Sequence, residues 1–275
     1  MYDLETFPNV FLCGVLGCDS EHAAIYEISD RRDDREPLLA GLHQLAANRI
    51  EMVGFNNIGF DYPIIHQFLN DPTGSNVASL YAKAQAIITT GDRFAHTVWP
   101  SDRYIPQLDL FKIHHFDNVA RATSLKALQF NMRSASVEDL PIPPGTMLTP
   151  DQIDALRNYL INDLTSTRAF YNHSREQIDF RRVLSERYGR DFLNHNDTKI
   201  GKDYFVMRLE EARPGSCYQR GPNGREPVQT YRSEMRLADV ILPYIRFQHP
   251  ELQRVHSWLH AQVIAETKGV FTDLN

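Results

Sequence analysis

The sequence predicts an α/β fold that opens with three antiparallel strands and ends in a mainly helical extension. Three features support this. The first apolar runs are short and split by turn residues, apolar runs and helical spacings then alternate up to residue 170, and from about residue 174 the texture turns long, charged and amphipathic.

Taken in order, Met1 to Phe7 holds the first apolar run. Phe11 to Leu16 and Ala24 to Ile28 follow, separated by Gly17-Cys18-Asp19-Ser20, a hairpin-like spacing. Asp30 to Glu36 is a charged loop, and Pro37 to Asn48 carries Leu38, Leu39, Leu42, Leu45 and Ala46 at helical spacing. Ile50 to Phe55 reads as a buried strand. It runs into Asn56-Asn57-Ile58-Gly59-Phe60-Asp61, the mouth of a helix over Tyr62 to Leu69, and such strand ends are where open α/β sheets place ligands. Val77 to Ile88 predicts a helix, Gly91 to Tyr104 a loop or hairpin, Leu108 to Phe111 a short strand and Ser124 to Phe130 a short helix.

Pro141-Ile142-Pro143-Pro144-Gly145 cannot be helical, because proline lacks the amide donor. Thr149 as N-cap and Pro150 at the first helical position then start a helix with Ile153, Leu156, Leu160, Leu164 and Phe170 at core spacing. Further helices are expected over Arg175 to Tyr188, Asp203 to Glu211 and Glu251 to Thr267. Pro214-Gly215 and the turn-rich Arg220 to Arg225 break them. The change of texture divides the chain into residues 1–172 and a helical extension or linker, 173–275.

With 42% hydrophobic and 23% charged residues the composition is that of an ordinary soluble globular protein. No apolar run approaches the roughly 20 residues needed to cross a bilayer, and no signal-peptide pattern stands at the start. The expectation is a cytoplasmic protein, in the host cytoplasm if viral, with no membrane partner. Cys13, Cys18 and Cys217 form neither a disulfide framework nor a zinc spacing. Residues 1–170 hold 13 Lys/Arg against 21 Asp/Glu, and residues 171–275 hold 16 against 14. An acidic first part repels a phosphate backbone unless bound cations change the sign locally.

Asp3 and Glu5 stand at i and i+2 in the first run, so on a strand they project from one face. Two carboxylates aimed at one spot repel, and a hard divalent cation relieves the conflict. Asp61 at the strand end could cap its helix or join this site. On the later helix Tyr159 and Asp163 are four apart and share a face. Asp163 lies beside Leu160 and Leu164, where an unpaired charge is costly. His114-His115 lack companion zinc ligands and read as surface residues, and Lys199-Ile200-Gly201-Lys202 is too short for a phosphate loop and reads as a turn into a helix.

Asp3-Leu4-Glu5-Thr6, Asn56-Asn57-Ile58-Gly59-Phe60-Asp61 and Tyr159-Leu160-Ile161-Asn162-Asp163 together resemble the three ordered motifs of the DEDD superfamily of 3′–5′ exonucleases. The match is to the tyrosine subgroup, and to the proofreading domain of phage-type replicative DNA polymerases. It covers roughly residues 1–172. The resemblance implies a ribonuclease H-like mixed sheet, three antiparallel strands then parallel strands, flanked by helices.

It also implies two Mg²⁺ or Mn²⁺ ions, with Asp3 bridging both, Glu5 and Asp163 completing the water-activating site and Asp61 supporting the second ion. Tyr159 would position the attacking water. Thr6 and either Asn56 or Asn57 would bond the 3′ end of single-stranded DNA, and Phe60 is either a stacking surface or core packing. No polymerase motif is present, and with a catalytic residue at position 3 the expectation is one part of a longer or split polymerase, partnered by a polymerase domain or subunit. Two rival readings are a catalytically idle DNA-guiding module and an RNase of the same superfamily.

Overall fold

A computed structural model describes residues 1–92, 94–134, 137–140, 142–222, 224–228 and 232–265. Three strands open the chain, β1 (Tyr2–Phe7), β2 (Val10–Val15) and β3 (Ala24–Ser29), and pair antiparallel in the order β1-β2-β3. Alternation sorts their side chains onto two faces. Tyr2, Leu4, Phe11 and Cys13 enter one buried cluster, and Phe7, Val10 and Leu12 enter the other.

The first cluster is covered by α1 (Arg35–Ala47), α2 (Asp61–Asn70) and α3 (Val77–Thr89), which bury Leu38, Leu42, Ile64, Ile65, Phe68, Leu80 and Ala84. Between α1 and α2 runs β4 (Met52–Gly54), which lies beside β1 and pairs in parallel with β5 (Gln107–Asp109). The expected strand over Leu108 to Phe111 is thus corrected. It stops at Asp109, whose side chain accepts from the Phe111 N–H at 3.0 Å and starts the short helix α4 (Leu110–Ile113). After α5 (Leu125–Asn131) comes the long helix α6 (Pro150–His173). Thr149 and Gln152 form a reciprocal capping box at its start, and Leu156, Leu160 and Leu164 cover the second face of the sheet. Antiparallel and parallel strands flanked by helices make the fold α/β.

The chain divides into two compact units, Met1–Asp203 and Tyr204–Asn275, so the division falls beyond the expected residue 172. The reason is α7 (Arg175–Tyr188): Ile178 is fully buried in the cluster beneath α6, and buried Arg181 donates to the Ile113 carbonyl at 3.2 Å and the His195 carbonyl at 2.7 Å. His114 is only partly exposed. Its Nε2 meets Ser174 Oγ at 2.8 Å and its ring packs on Phe116 and Phe170. Helix α8 (Asp197–Ala212) begins earlier than expected, and Lys199 to Lys202 lie within it because the Asn196 side chain accepts the Lys199 N–H.

In the second unit the turn-rich stretch forms a hairpin of β6 (Tyr218–Gly221) and β7 (Gly224–Pro227), with Asn223 outside the described residues. After β8 (Met235–Arg236), helix α9 (Pro250–His260) stops short of its expected end because β9 (Val263–Ile264) pairs with β8; Thr267 lies outside the described residues. Among the described residues no helix is long and apolar enough to cross a membrane.

Candidate metal centre

Asp3 and Glu5 leave β1 on the face covered by α6, as their spacing predicts. Whether Asp163 reaches them depends on how close α6 can lie. Asp3 pairs with Gly14 on β2, and a Cβ on Gly14 would stand 2.7 Å from Leu164 Cδ1 and 3.0 Å from Leu160 Cγ. The absence of a side chain there lets α6 settle onto the sheet beside Asp3. The approach is fixed at several points. Asn9 in the β1–β2 turn exchanges two hydrogen bonds with Leu148, at 2.8 and 2.9 Å, and Arg31 holds Asp154 at 2.7 Å. As a result Asp3, Glu5 and Asp163 offer carboxylate oxygens that all lie within 4.8 Å of one another.

Asp61 opens α2 and is buried, and the backbone N–H groups of Asp61 and Leu4 favour its charged form against that burial. It lies outside the set of three, yet its charge acts on both Asp3 and Glu5. The loop before it is shaped by Asp109. That buried side chain accepts from the Asn56 N–H at 2.9 Å and the Ile58 N–H at 3.2 Å. Asn56 itself takes a left-handed backbone, φ 62°, and is exposed. Asn57 is fully buried, within 2.9 Å of Gln107, and of the two amides only Asn56 faces outward. Phe60 is half-buried against the α2–α3 cluster. Thr6 is half-buried and leaves β1 on the face opposite Asp3 and Glu5.

On α6 Tyr159 stands one turn before Asp163, close enough for each to shift the titration of the other. Gln129 of α5, 1% exposed, donates to Ser166 Oγ at 2.7 Å and reaches Asp163 Oδ1 at 3.5 Å. Gln129 and Asp109 are absent from the motifs. An Asp inside the apolar Leu108-Asp109-Leu110 run was the available sign of the latter, whereas nothing local marks Gln129.

Crowding and burial act together on these acids. Burial first, then the charges of Asp61, Glu5 and Asp163, hold Asp3 well above the usual carboxylate range. Burial and the charges of Asp163 and Asp61 push Glu5 up to about 8; burial also raises Asp61 to about 8 and Asp163 to about 6. Among the described residues no Arg or Lys forms an ion pair with them. Lys126 is the cation whose charge reaches Asp163, and it is itself paired with Asp139. Convergent hard oxygen donors that strain against their own charge fit a Mg²⁺ or Mn²⁺ ion.

The chain matches no family model, no curated protein and no solved structure.

Proposed function

We propose that this chain is a metal-dependent 3′–5′ exonuclease acting on single-stranded or frayed DNA 3′ ends, a tyrosine-type DEDD enzyme on a ribonuclease H-like sheet. The observation that carries the reading is the convergence of Asp3, Glu5 and Asp163, drawn from the first strand and the long helix α6, within 4.8 Å. The first and third of the motifs that resemble one superfamily in sequence thereby share one spot, and Asp61 of the second acts on it through its charge.

In this reading Asp3, Glu5 and Asp163 hold the divalent ions and Asp61 adds charge behind Asp3. When bound, two such ions supply the activation of a water and the neutralisation of the leaving 3′ oxygen. Tyr159 orients that water by donating its hydroxyl. It keeps its proton, because burial and the neighbouring Asp163 and Glu5 push the phenol further above its ordinary value near 10. Asn56 bonds the terminal nucleotide, and the exposed part of Phe60 stacks on its base. A frayed end enters more readily because less pairing energy must be broken, so mismatches are removed without reading sequence. This is the chemistry of a proofreading partner to a polymerase domain or subunit.

The test is Mn²⁺-dependent degradation of a 3′-labelled single-stranded oligonucleotide by the parent and by Asp61→Ala. Losing several kcal/mol of charge stabilisation lowers the rate about a thousandfold or more, with the circular dichroism spectrum unchanged. Equal rates overturn the assignment. Inactivity of the parent, together with no carboxylate-dependent Mn²⁺ binding by calorimetry, favours the idle guiding module.

A further inference from the structure

Beside the Asn56–Gly59 loop, within the Met1–Asp203 unit, lies a cleft of about 570 Å³, a size that takes a nucleotide-sized ligand. Phe94 and Trp99 line it, 57% and 54% exposed, with their rings stacked at a centroid separation of 6.2 Å and 17° between planes. Single exposed aromatics are ordinary on a protein surface. Two large rings held near parallel in the wall of a polar cleft add up to a π surface instead. The charged lining balances, Arg103, Lys112 and Lys199 against Asp92, Asp117 and Asp191, so the cleft has no excess positive charge with which to select a phosphate. What it offers is a π surface and side-chain amides, those of Asn56 and Asn196 among them. That chemistry suits an uncharged heterocycle.

We infer that this cleft is a base-binding subsite, in which an unpaired nucleobase stacks on the Trp99–Phe94 pair while amides meet its polar edge. The inference rests on the exonuclease reading for its source of bases, since Asn56 and Gly59 belong both to the cleft and to the loop that leads into Asp61. The base comes either from the strand under degradation or from a released mononucleotide.

The experiment uses the full chain with Trp258→Phe, which leaves Trp99 as the sole indole of the two in the sequence. In EDTA, where no hydrolysis occurs, Trp99 fluorescence is titrated with hexathymidylate and with thymidine 5′-monophosphate. Quenching by the oligonucleotide alone supports the subsite with the strand as source. Quenching by the mononucleotide, alone or as well, supports it with the base itself as the recognised group. Absence of quenching by either overturns it. In the otherwise unaltered chain, Trp99→Leu weakens binding of a fluorescein-labelled oligonucleotide about tenfold, Trp99→Phe recovers most of it, and Mn²⁺ affinity is unchanged. Equal affinity in Trp99→Leu also overturns the proposal. Quenching by a chain that proves unable to hydrolyse any oligonucleotide removes the exonuclease reading and leaves the base site standing.

Discussion

Glu5 and Glu27 lie in one cross-strand row on the same face of the sheet, separated by Leu12, and α6 passes over both. Their surroundings are opposite. Glu27 meets Arg157 of α6 at 3.0 Å and Arg31 at 2.7 Å, and also accepts from Ser29. Burial alone would raise its pKa, yet the hydrogen bonds from Arg31 and Ser29 and the charges of both arginines hold it below the ordinary value. Glu5 meets Asp163 of the same helix and is pushed up to about 8. One helix thus supplies an arginine where a buried carboxylate ties the fold together and a further carboxylate where it does not. A like charge delivered to a half-buried acid destabilises the bare protein, and under the proposed function a divalent ion would offset it.

The contrast can be broken most forcefully by neutralising each member of the row without metal. Glu27→Gln leaves Arg157 without its carboxylate and Arg31 with Asp154 alone, and lowers stability by about 2 kcal/mol, moderated because both arginines reach water. Glu5→Gln acts with the opposite sign. Its raised pKa means that its contribution is fully present below the unfolded value near 4.5 and is lost as pH rises through about 8. Thermal melts in EDTA should therefore show Glu5→Gln equal to the parent at pH 4 and more stable at pH 8 by about 2–4 °C. Glu27 behaves in reverse, its stabilisation present above about pH 5 and lost on acidification. The parent alone is a poor reporter, because His66, His114 and His195, held below their ordinary value by burial, add stability as pH rises.

A smaller effect sharpens the role of α6. Gly14→Ala forces a methyl against Leu164 and Leu160 and costs about 1–2 kcal/mol. It also moves Asp163 away from Asp3, so Mn²⁺ affinity by calorimetry falls several-fold, whereas a destabilising change far from the site leaves it unaltered. Smaller still is the linkage between metal and protons. Because Glu5, Asp61 and Asp163 ionise between about 6 and 8, Mn²⁺ binding at pH 6.5 releases protons, and its measured enthalpy changes with the ionisation enthalpy of the buffer. At higher pH that dependence weakens.

Local rules made much of this legible in the sequence. Strand alternation put Asp3 and Glu5 on one face, helical spacing put Tyr159 beside Asp163, and Thr149-Pro150 marked the start of α6. What stayed hidden depends on contacts between distant segments. The Gly14 gap has meaning only against Leu160 and Leu164, and the burial of Asn57 rather than Asn56 follows from Gln107 on another strand. The burial of α7 depends on carbonyls that Arg181 finds at Ile113 and His195, and the early end of α9 on a pairing of β9 with β8. Periodicity within a helix does not report such partners.

The most direct measurement is anomalous scattering from a crystal soaked in Mn²⁺. The account predicts peaks within coordination reach of Asp3, Glu5 and Asp163, lost in Asp163→Asn. Manganese bound elsewhere, with these three carboxylates bare, contradicts it.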